Sequence, residues 1–456
     1  MDAPALPRDA RLPQLARAVD GRAMGHVFEA ALRQYGVQRV TDCQVERIKY
    51  RPGRNCTVSY RLEIRDERQG CSYTQRVAGR FCAPGEAARR HARNASRVGL
   101  ASRCGVPSLL VPSLELFAWF LPNDPKLASL PILIQATRNG GSALSEALEV
   151  MTGGEREAID LHAALVQYVP ESRACARFDV RLASGREASL FAKLDRENGG
   201  AATHRVMQAL HASEAARDGR LRTARPLLWQ AQTGLHWQAA VAGRPLIDLH
   251  PHCPPPVAAR IGTLMAALHD TEVPLARSLG GDALHAQACE IAALLTQVEP
   301  AWFERLSRLL GLLEAPLPDV RALPEATLHG DLHPRNILVN GDALSLIDLD
   351  GARGGPAVLE LGAWIAEALD RAIHAGTPLD QVQASAESML DAYTQASRQP
   401  VTQALVAWAT ARALLCERAY RGMANLRPGR FEQVPVLLSL AELIAGQQRI
   451  DGPLPR

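Results

Sequence analysis

Apolar residues alternate with polar ones at Val58, Tyr60, Leu62 and Ile64, the period of a half-buried strand. They lie in a strand-like block, Gln44–Ile64, interrupted by the turn sequence Tyr50-Arg51-Pro52-Gly53-Arg54. A Pro-marked lead (Pro4, Pro7, Pro13) and a helix over His26–Tyr35 precede it. A short strand over Gln75–Cys82 comes next. Pro84-Gly85 breaks it, and a helix is expected over Glu86–Val98. Pro107 to Pro131, with Trp119 and Phe120, reads as a loop-rich connection.

A similar order then returns. Strands are expected over Leu165–Pro170 and Ala174–Leu182 around the turn Tyr168–Arg173, then over Ala188–Leu194, with a helix over Ala201–Ala216 opened by Gly199-Gly200. Tyr50 and Pro52 match Tyr168 and Pro170, and Gly79-Arg80-Phe81 matches Ala192-Lys193-Leu194. This is the pattern of a weak duplication with a period of about 115 residues. Pro226–Trp229 and Leu235–Val241 read as two more strands. Helical spacing dominates afterwards, with Ile261, Leu264, Met265 and Leu268 on one face of Ala258–His269. Further helices are expected over Ala286–Val298, Ala301–Leu313, Ala357–His374, Leu379–Ala396, Thr402–Asn425 and Glu432–Gln448. The expected organisation is α+β in three parts. Residues 1–145 form an N-terminal α+β domain, a candidate degenerate duplicate; 146–245 form a strand-rich lobe; 246–456 form a helical lobe.

One strand signal interrupts the helical part. Leu328–Gly351 reads LHGDLHPRNILVNGDALSLIDLDG, with apolar runs Asn336–Asn340 and Ala343–Leu349 flanking Asn340-Gly341-Asp342. Asn-Gly between such runs is a strong hairpin signal, because both residues tolerate positive φ. The hairpin returns Asp331, Asn336 and Asp348 to one end, three oxygen ligands of the kind Mg²⁺ prefers when phosphates complete its shell. Phosphoryl transfer needs a carboxylate to orient the attacking hydroxyl, metal ligands, and a cation on the nucleotide phosphates. Asp331 fits the first role, Asn336 and Asp348 the second, and Lys193 the third. Lys193 ends an apolar strand in a chain with only three lysines, where a surface cation would ordinarily be arginine.

Composition narrows the setting. The chain of 456 residues is 47% hydrophobic and 22% charged, a globular balance long enough for two or three domains. A net charge of +3 gives no reason to expect a nucleic-acid or polybasic membrane partner. Nine scattered cysteines without a CxxC pair read as reduced, mostly buried thiols, and a cytoplasmic setting is expected. Met1–Gly25 lacks the continuous apolar core of a signal peptide, and no apolar run approaches the roughly 18 residues of a membrane span.

His329-Gly330-Asp331-Leu332-His333-Pro334-Arg335-Asn336 followed by Ile347-Asp348-Leu349-Asp350 resembles the aminoglycoside phosphotransferase and choline kinase-like family of small-molecule kinases. The resemblance covers roughly residues 160–430 and is strongest at 325–365. It implies a two-lobed protein-kinase-like fold, ATP and Mg²⁺ as cofactors, and transfer of the γ-phosphoryl to a hydroxyl of a sugar, aminoglycoside, amino alcohol or similar metabolite. Asp331 would be the catalytic base, Asn336 and Asp348 the metal ligands, and His329 and Asp350 supports of the loop. Gln238, Ala239 and Val241 would form the adenine-facing linker, by position alone. His333 reads as structural, and Trp364 and Trp408 as core. Glu360, Glu367, Asp370, Glu417 and Tyr420 border the expected acceptor pocket.

The chain departs from the family pattern. The helix after Lys193 lacks a glutamate to hold the lysine; Glu197 precedes it and Glu214 lies near its end. Arg335 stands where many relatives have Gly, and Glu360 where Asp is usual. With no GxGxxG, the Tyr168–Arg173 turn would have to cover the phosphates. These departures leave a second class open, a catalytically silent kinase-like protein that binds nucleotide or a partner.

Overall fold

A computed structural model describes residues 6–36, 39–66, 70–95, 99–196 and 199–450; Glu197 and residues 96–98 of the expected second helix lie outside them. Two short-looped sheets come first. Helices α1 (Leu15–Ala18) and α2 (Gly21–Leu32) precede strands β1 (Arg39–Arg51), β2 (Asn55–Asp66) and β3 (Cys71–Cys82), then helix α3 (Glu86–Ala95) and strands β4 (Ser108–Val111) and β5 (Leu116–Phe120). Helices α4 (Leu130–Asn139) and α5 (Gly141–Thr152) introduce the second set: β6 (Ala158–Val169), β7 (Arg173–Leu182), β8 (Glu187–Asp195), helices α6 (Gly200–Ala212) and α7 (Glu214–Arg217), then β9 (Pro226–Gln230) and β10 (Leu235–Ala239). Both sheets are five-stranded and share one order, β1-β2-β3-β5-β4 and β6-β7-β8-β10-β9.

Three sequence expectations change here. The stretch that reads as loop-rich holds β4 and β5, because Leu116–Phe120 is buried at every position. A strand covered on both faces has no period-2 signal to read. Helices α4 and α5 are additions to the expected elements. The boundary expected between 145 and 146 falls inside α5, and Leu127, Leu130, Leu133, Leu144 and Leu148 pack in one core with Phe178, Leu190 and Trp237 of the second sheet. The first sheet instead shares a core with the helical lobe, through residues such as Phe28, Tyr60 and Phe120.

The chain leaves the second sheet through β11 (Arg244–Pro245), which pairs with the hairpin strand β13 (Ile337–Asn340), and α8 (Leu246–Leu249). Helices α9 (Pro255–His269), α10 (Gly281–Val298), α11 (Phe303–Glu314) and α12 (Leu317–Arg321) then lead to β12 (Ala326–Leu328), to β13, and on to β14 (Ala343–Leu346) and β15 (Arg353–Gly355). Helices α13 (Val358–Ala375), α14 (Leu379–Ala396), α15 (Gln403–Ala413), α16 (Tyr420–Asn425) and α17 (Val434–Gln447) complete the lobe. Gly262 lets α9 lie directly on α14, since a Cβ there would strike the Met389 carbonyl. Trp364 and Trp408 are buried, as expected of core residues, and the Trp408 indole N–H donates to the Leu313 carbonyl at 2.9 Å.

The arrangement is a strand-rich lobe over a helical lobe, the protein-kinase-like fold, preceded by a further sheet of the same strand order. Among the described residues no helix is long and apolar enough to cross a membrane. All nine cysteines are free, and Cys71 alone is exposed.

Candidate active site

The ladder β12–β15 pairs Leu328 with Arg353 and so closes the neck of the segment that carries the motif. Inside that neck, Asn340 pairs with Ala343, which leaves Gly341 and Asp342 as the hairpin loop. Only Gly341 takes positive φ, 57°, so Asn340 ends a strand and is not a central turn residue. The second strand stops at Leu346, short of the expected Leu349, and Asp348 then adopts a left-handed conformation with φ 65°. Aspartate tolerates that region better than most residues, and it re-aims the carboxylate away from the strand.

Buried partners hold the Asp331 loop. Glu360 Oε2 accepts from the His329 N–H at 3.0 Å and Oε1 from the Gly330 N–H at 2.8 Å. Its Oε2 also meets His269 Nε2 at 3.0 Å, and His269 Nδ1 meets the Tyr393 hydroxyl at 2.9 Å. Burial raises the Glu360 pKa, but His269, His329 and the backbone donors outweigh it and the carboxyl sits below its ordinary value. Gly330 has φ 82°, and a Cβ there would strike the Gly351 carbonyl. Hydrogen bonds to a buried carboxylate are charge-assisted and strong. The sequence points Glu360 towards the acceptor pocket; the structure puts it under the loop as its anchor. His329 is fully buried, with Nε2 at 2.9 Å from the Ile347 carbonyl. It supports the loop and does not line the cleft.

Asn336 is buried and donates from Nδ2 to the Asp331 carbonyl at 3.0 Å. That bond fixes the amide plane and leaves Oδ1, the better metal ligand, without a protein donor among the described residues. Lys193 Nζ bonds Asp348 Oδ1 at 2.6 Å and Asp350 Oδ1 at 3.1 Å. Burial lowers the Lys193 pKa, but the two carboxylates win and hold it above its ordinary value. Burial likewise opposes ionisation of Asp348, and Lys193 and Arg173 overcome it, leaving Asp348 well below the usual carboxylate range. Asp350 is pushed up by desolvation and by the neighbouring Asp348 charge, against the pull of Lys193. The partner that the sequence leaves unnamed is therefore this aspartate pair, contributed from the other lobe. The helix after Lys193 offers His204, which meets His236 edge-on at 5.3 Å. His236 pairs with Lys193 across the sheet.

Asp331, Asn336 and Asp348 open on one cavity of about 570 Å³. Arg421 reaches Asp331 Oδ1 at 3.2 Å. Burial raises the Asp331 pKa, while Arg421 and His333 pull it down, and the net shift is downward. The helix that carries Arg421 passes through a π-helical turn, Leu414–Ala419, before α16. Such turns re-aim side chains and recur at functional sites. His333 accepts from the Arg335 N–H at 3.3 Å, in keeping with a structural role.

The segment expected to face adenine is partly engaged in the sheet. Gln238 is buried in β10, the Ala239 N–H donates to the Arg225 carbonyl at 2.9 Å, and the Ala240 N–H donates to the Ser189 carbonyl at 2.9 Å. Val241 lies beyond the strand, and its N–H has no partner among the described residues. No group of three His, Cys, Asp or Glu side chains among the described residues is placed to hold a metal. The pair Asn336 and Asp348 still fits Mg²⁺, which takes one or two protein oxygens beside phosphate.

The tip of the β6–β7 hairpin, the turn expected to cover phosphates, is held by the segment after β5 and by Arg80 of the first sheet. Asp124 Oδ2 accepts from the Tyr168 hydroxyl at 2.7 Å and the Glu171 N–H at 2.8 Å. Glu171, with φ 57°, forms a buried ion pair with Arg80. No sequence signal points to Asp124 or Glu171.

Comparison with known proteins places these features. Residues 173–397 match the model of the phosphotransferase enzyme family. No curated protein matches the chain. Similar solved structures include a thermostable mutant of aminoglycoside phosphotransferase APH(4)-Ia (17% identity, 68% of this chain and 100% of that one, TM-score 0.44). A choline/ethanolamine kinase family protein from Mesorhizobium loti is similar at 18% identity, over 66% of this chain and 98% of that one, with a TM-score of 0.44. An ethanolamine kinase from Plasmodium vivax is similar at 10% identity, over 72% and 98%, with a TM-score of 0.46. The match over residues 173–397 to the phosphotransferase enzyme family contains Lys193, Asp331, Asn336, Asp348 and Glu360.

Proposed function

We propose that the protein transfers the γ-phosphoryl group of ATP to a hydroxyl of a small molecule. The observation that carries this reading is the opening of Asp331, Asn336 and Asp348 on one cavity, with Lys193 tied to Asp348 from the opposite lobe. Asn336 Oδ1 and the second carboxylate oxygen of Asp348 would hold Mg²⁺, which when bound would neutralise phosphate charge. Lys193 would exchange its aspartates for nucleotide phosphate oxygens. Asp331 would accept a hydrogen bond from the acceptor hydroxyl and take its proton as the bond to phosphorus forms. Arg421 would hold Asp331 ionised and aimed until the acceptor arrives. Val241 would present a backbone N–H to the adenine. Glu360 and His329 would keep the loop in register without touching substrate.

What supports a role for the first sheet as a degenerate copy of the second is their shared register. Arg80 pairs with Thr57 and Phe117, and Lys193 pairs with Cys175 and His236. The Tyr50 hydroxyl and Gly53 N–H both donate to Asp9, as the Tyr168 hydroxyl and Glu171 N–H do to Asp124. The copies would divide near residue 121.

The test is Asp331→Asn in an ADP-release assay with an identified acceptor. A general base contributes roughly 10²–10⁴-fold, and turnover should fall within that span while Mg-ATP still raises the melting temperature. Undiminished turnover would reject Asp331 as the base. ATP binding without turnover on any hydroxylated metabolite would favour the silent, nucleotide-binding class.

A further inference from the structure

The cavity below Asp331 is lined by eight arginines and four carboxylates. The carboxylates are all engaged. Asp331 meets Arg421 and Asp348 meets Lys193. Asp370 meets Arg430 at 2.9 Å, and Glu367 is shared by Arg418 and Arg371. Four arginines remain. The side chains of Arg47, Arg173, Arg335 and Arg427 make no hydrogen bond or ion pair with a described residue. Arg173 and Arg427 also lie close enough to repel Arg47. Partial burial and the charges of Arg173 and Arg427 lower the Arg47 pKa from its ordinary value.

Uncompensated guanidinium groups converging on a cleft focus positive potential there. Each presents a planar fork that fits a carboxylate or phosphate bidentately. A cationic acceptor would meet like charge on entry, and a neutral one would leave the repulsion unrelieved. The origin of the charges matters as well. Arg173 begins β7, beside the turn expected over the nucleotide phosphates, and contributes to the field at Asp348, so donor phosphate accounts for it. Arg427 lies just past α16, on the acceptor side. Arg47 comes from β1 of the first sheet, which runs against α16.

We propose that the acceptor is an anionic hydroxy compound, carrying a carboxylate or phosphate gripped by Arg47 and Arg427, so that the first sheet completes the acceptor site. This rests on the phosphotransfer reading, and it selects among acceptors: sugar acids and sugar phosphates in place of aminoglycosides or amino alcohols.

The test uses the full-length protein preloaded with Mg–AMP-PNP. Glucose, glucosamine, gluconate and glucose 6-phosphate are titrated by calorimetry, with inorganic phosphate as the bare anion. Binding is expected for the anions and not for glucose or glucosamine; gluconate against glucose 6-phosphate separates the carboxylate from the phosphate source. Arg47→Gln with Arg427→Gln should weaken anion binding at least tenfold, leave AMP-PNP affinity unchanged and not lower the melting temperature. Anion binding that the double variant retains, no anion binding to the loaded protein, or tighter binding of glucosamine overturns the proposal. A variant that loses AMP-PNP affinity assigns these arginines to the donor and overturns it too. Failure of the wild-type protein to take up Mg–AMP-PNP strikes instead at the phosphotransfer reading.

Discussion

Arg80 and Lys193 occupy the same place in two sheets of the same strand order, and they reach different partners. Lys193 crosses to Asp348 and Asp350 of the helical lobe. Arg80 crosses to Glu171, in the turn of the second sheet. Each cation projects from the third strand of its sheet onto the next unit of the chain. The unit after the second sheet offers Asp348, a carboxylate at the cavity and the proposed metal ligand. The unit after the first offers a hairpin tip, already tied to Asp124 by two hydrogen bonds. A shared backbone position therefore sets where the charge goes, and the partner decides whether it serves chemistry or anchorage.

The largest difference should come from removing each cation. Lys193→Ala takes away the positive charge proposed to move from Asp348 to the nucleotide phosphates. Loss of one such electrostatic contact costs on the order of 10²–10³ in kcat, measured as initial rates at saturating acceptor. Arg80→Ala should leave kcat within a few-fold. A comparable loss of rate in both variants would break the contrast.

Arg80→Ala should be visible in stability instead. Both members of the Arg80–Glu171 pair are buried, and breaking a buried pair from one side costs up to about 3–5 kcal/mol, part of which the Lys126 ammonium at 3.9 Å from Glu171 offsets. Chemical denaturation followed at the first sheet should show that loss. Arg80→Ala combined with Glu171→Ala should recover part of it, since no orphan charge remains. If the double variant is as unstable as the sum of the singles, the pair is not the anchor.

Much of this was legible in the sequence. The hairpin of the motif, the helical lobe and the matching of Arg80 with Lys193 all come from local pattern. The parts that were not legible depend on long-range placement. Leu116–Phe120 carries no alternation because both faces are covered. Glu360 looks like a pocket residue because a helix position alone does not say which neighbour it meets; only packing of α9 and α13 brings it under His329 and against His269. The family pattern puts the partner of Lys193 on the next helix, whereas it stands at the far end of the hairpin in the other lobe. Asp124 sits in a stretch that reads as turn, with nothing local to mark its bonds to a hairpin far along the chain.

A smaller contrast lies beside the cations. Lys193 is backed by His236, and Arg80 by Phe117. Burial, His204 and Lys193 push His236 down to about 3. Below pH 6.5 the unfolded chain takes up a proton that the folded protein refuses, so stability falls as pH falls from 6.5 towards 3. At pH 5 the loss is about 2 kcal/mol at about 1.4 kcal/mol per pH unit. His236→Phe makes the second sheet resemble the first and should flatten that part of the acid limb. An unchanged slope between pH 6.5 and 5 would mean that His236 is hydrated.

The smallest effect separates the two aspartates that hold the hairpin tips. Asp9 and Asp124 make the same two bonds, Asp9 to Tyr50 and Gly53 and Asp124 to Tyr168 and Glu171. At each aspartate the two tip bonds share Oδ2, while Oδ1 accepts from its own turn, from the Lys126 and Leu127 N–H groups at Asp124 and from the Arg11 N–H at Asp9, so the NH2 of an Asn faces a backbone N–H whichever way it turns and the anchor loosens. At Asp124 the released tip is the one expected over the nucleotide phosphates. A loop without glycine has little intrinsic shape suited to phosphate, so its order must come from its anchor. Asp124→Asn should therefore raise the KM for ATP by roughly tenfold, the worth of about one hydrogen bond to a charged group. Asp9→Asn loosens a tip that, in a degenerate copy, would cover no nucleotide, and it should leave that KM unchanged. Equal effects at the two positions would remove the functional distinction between the sheets, and an effect at Asp9 alone would assign nucleotide to the first.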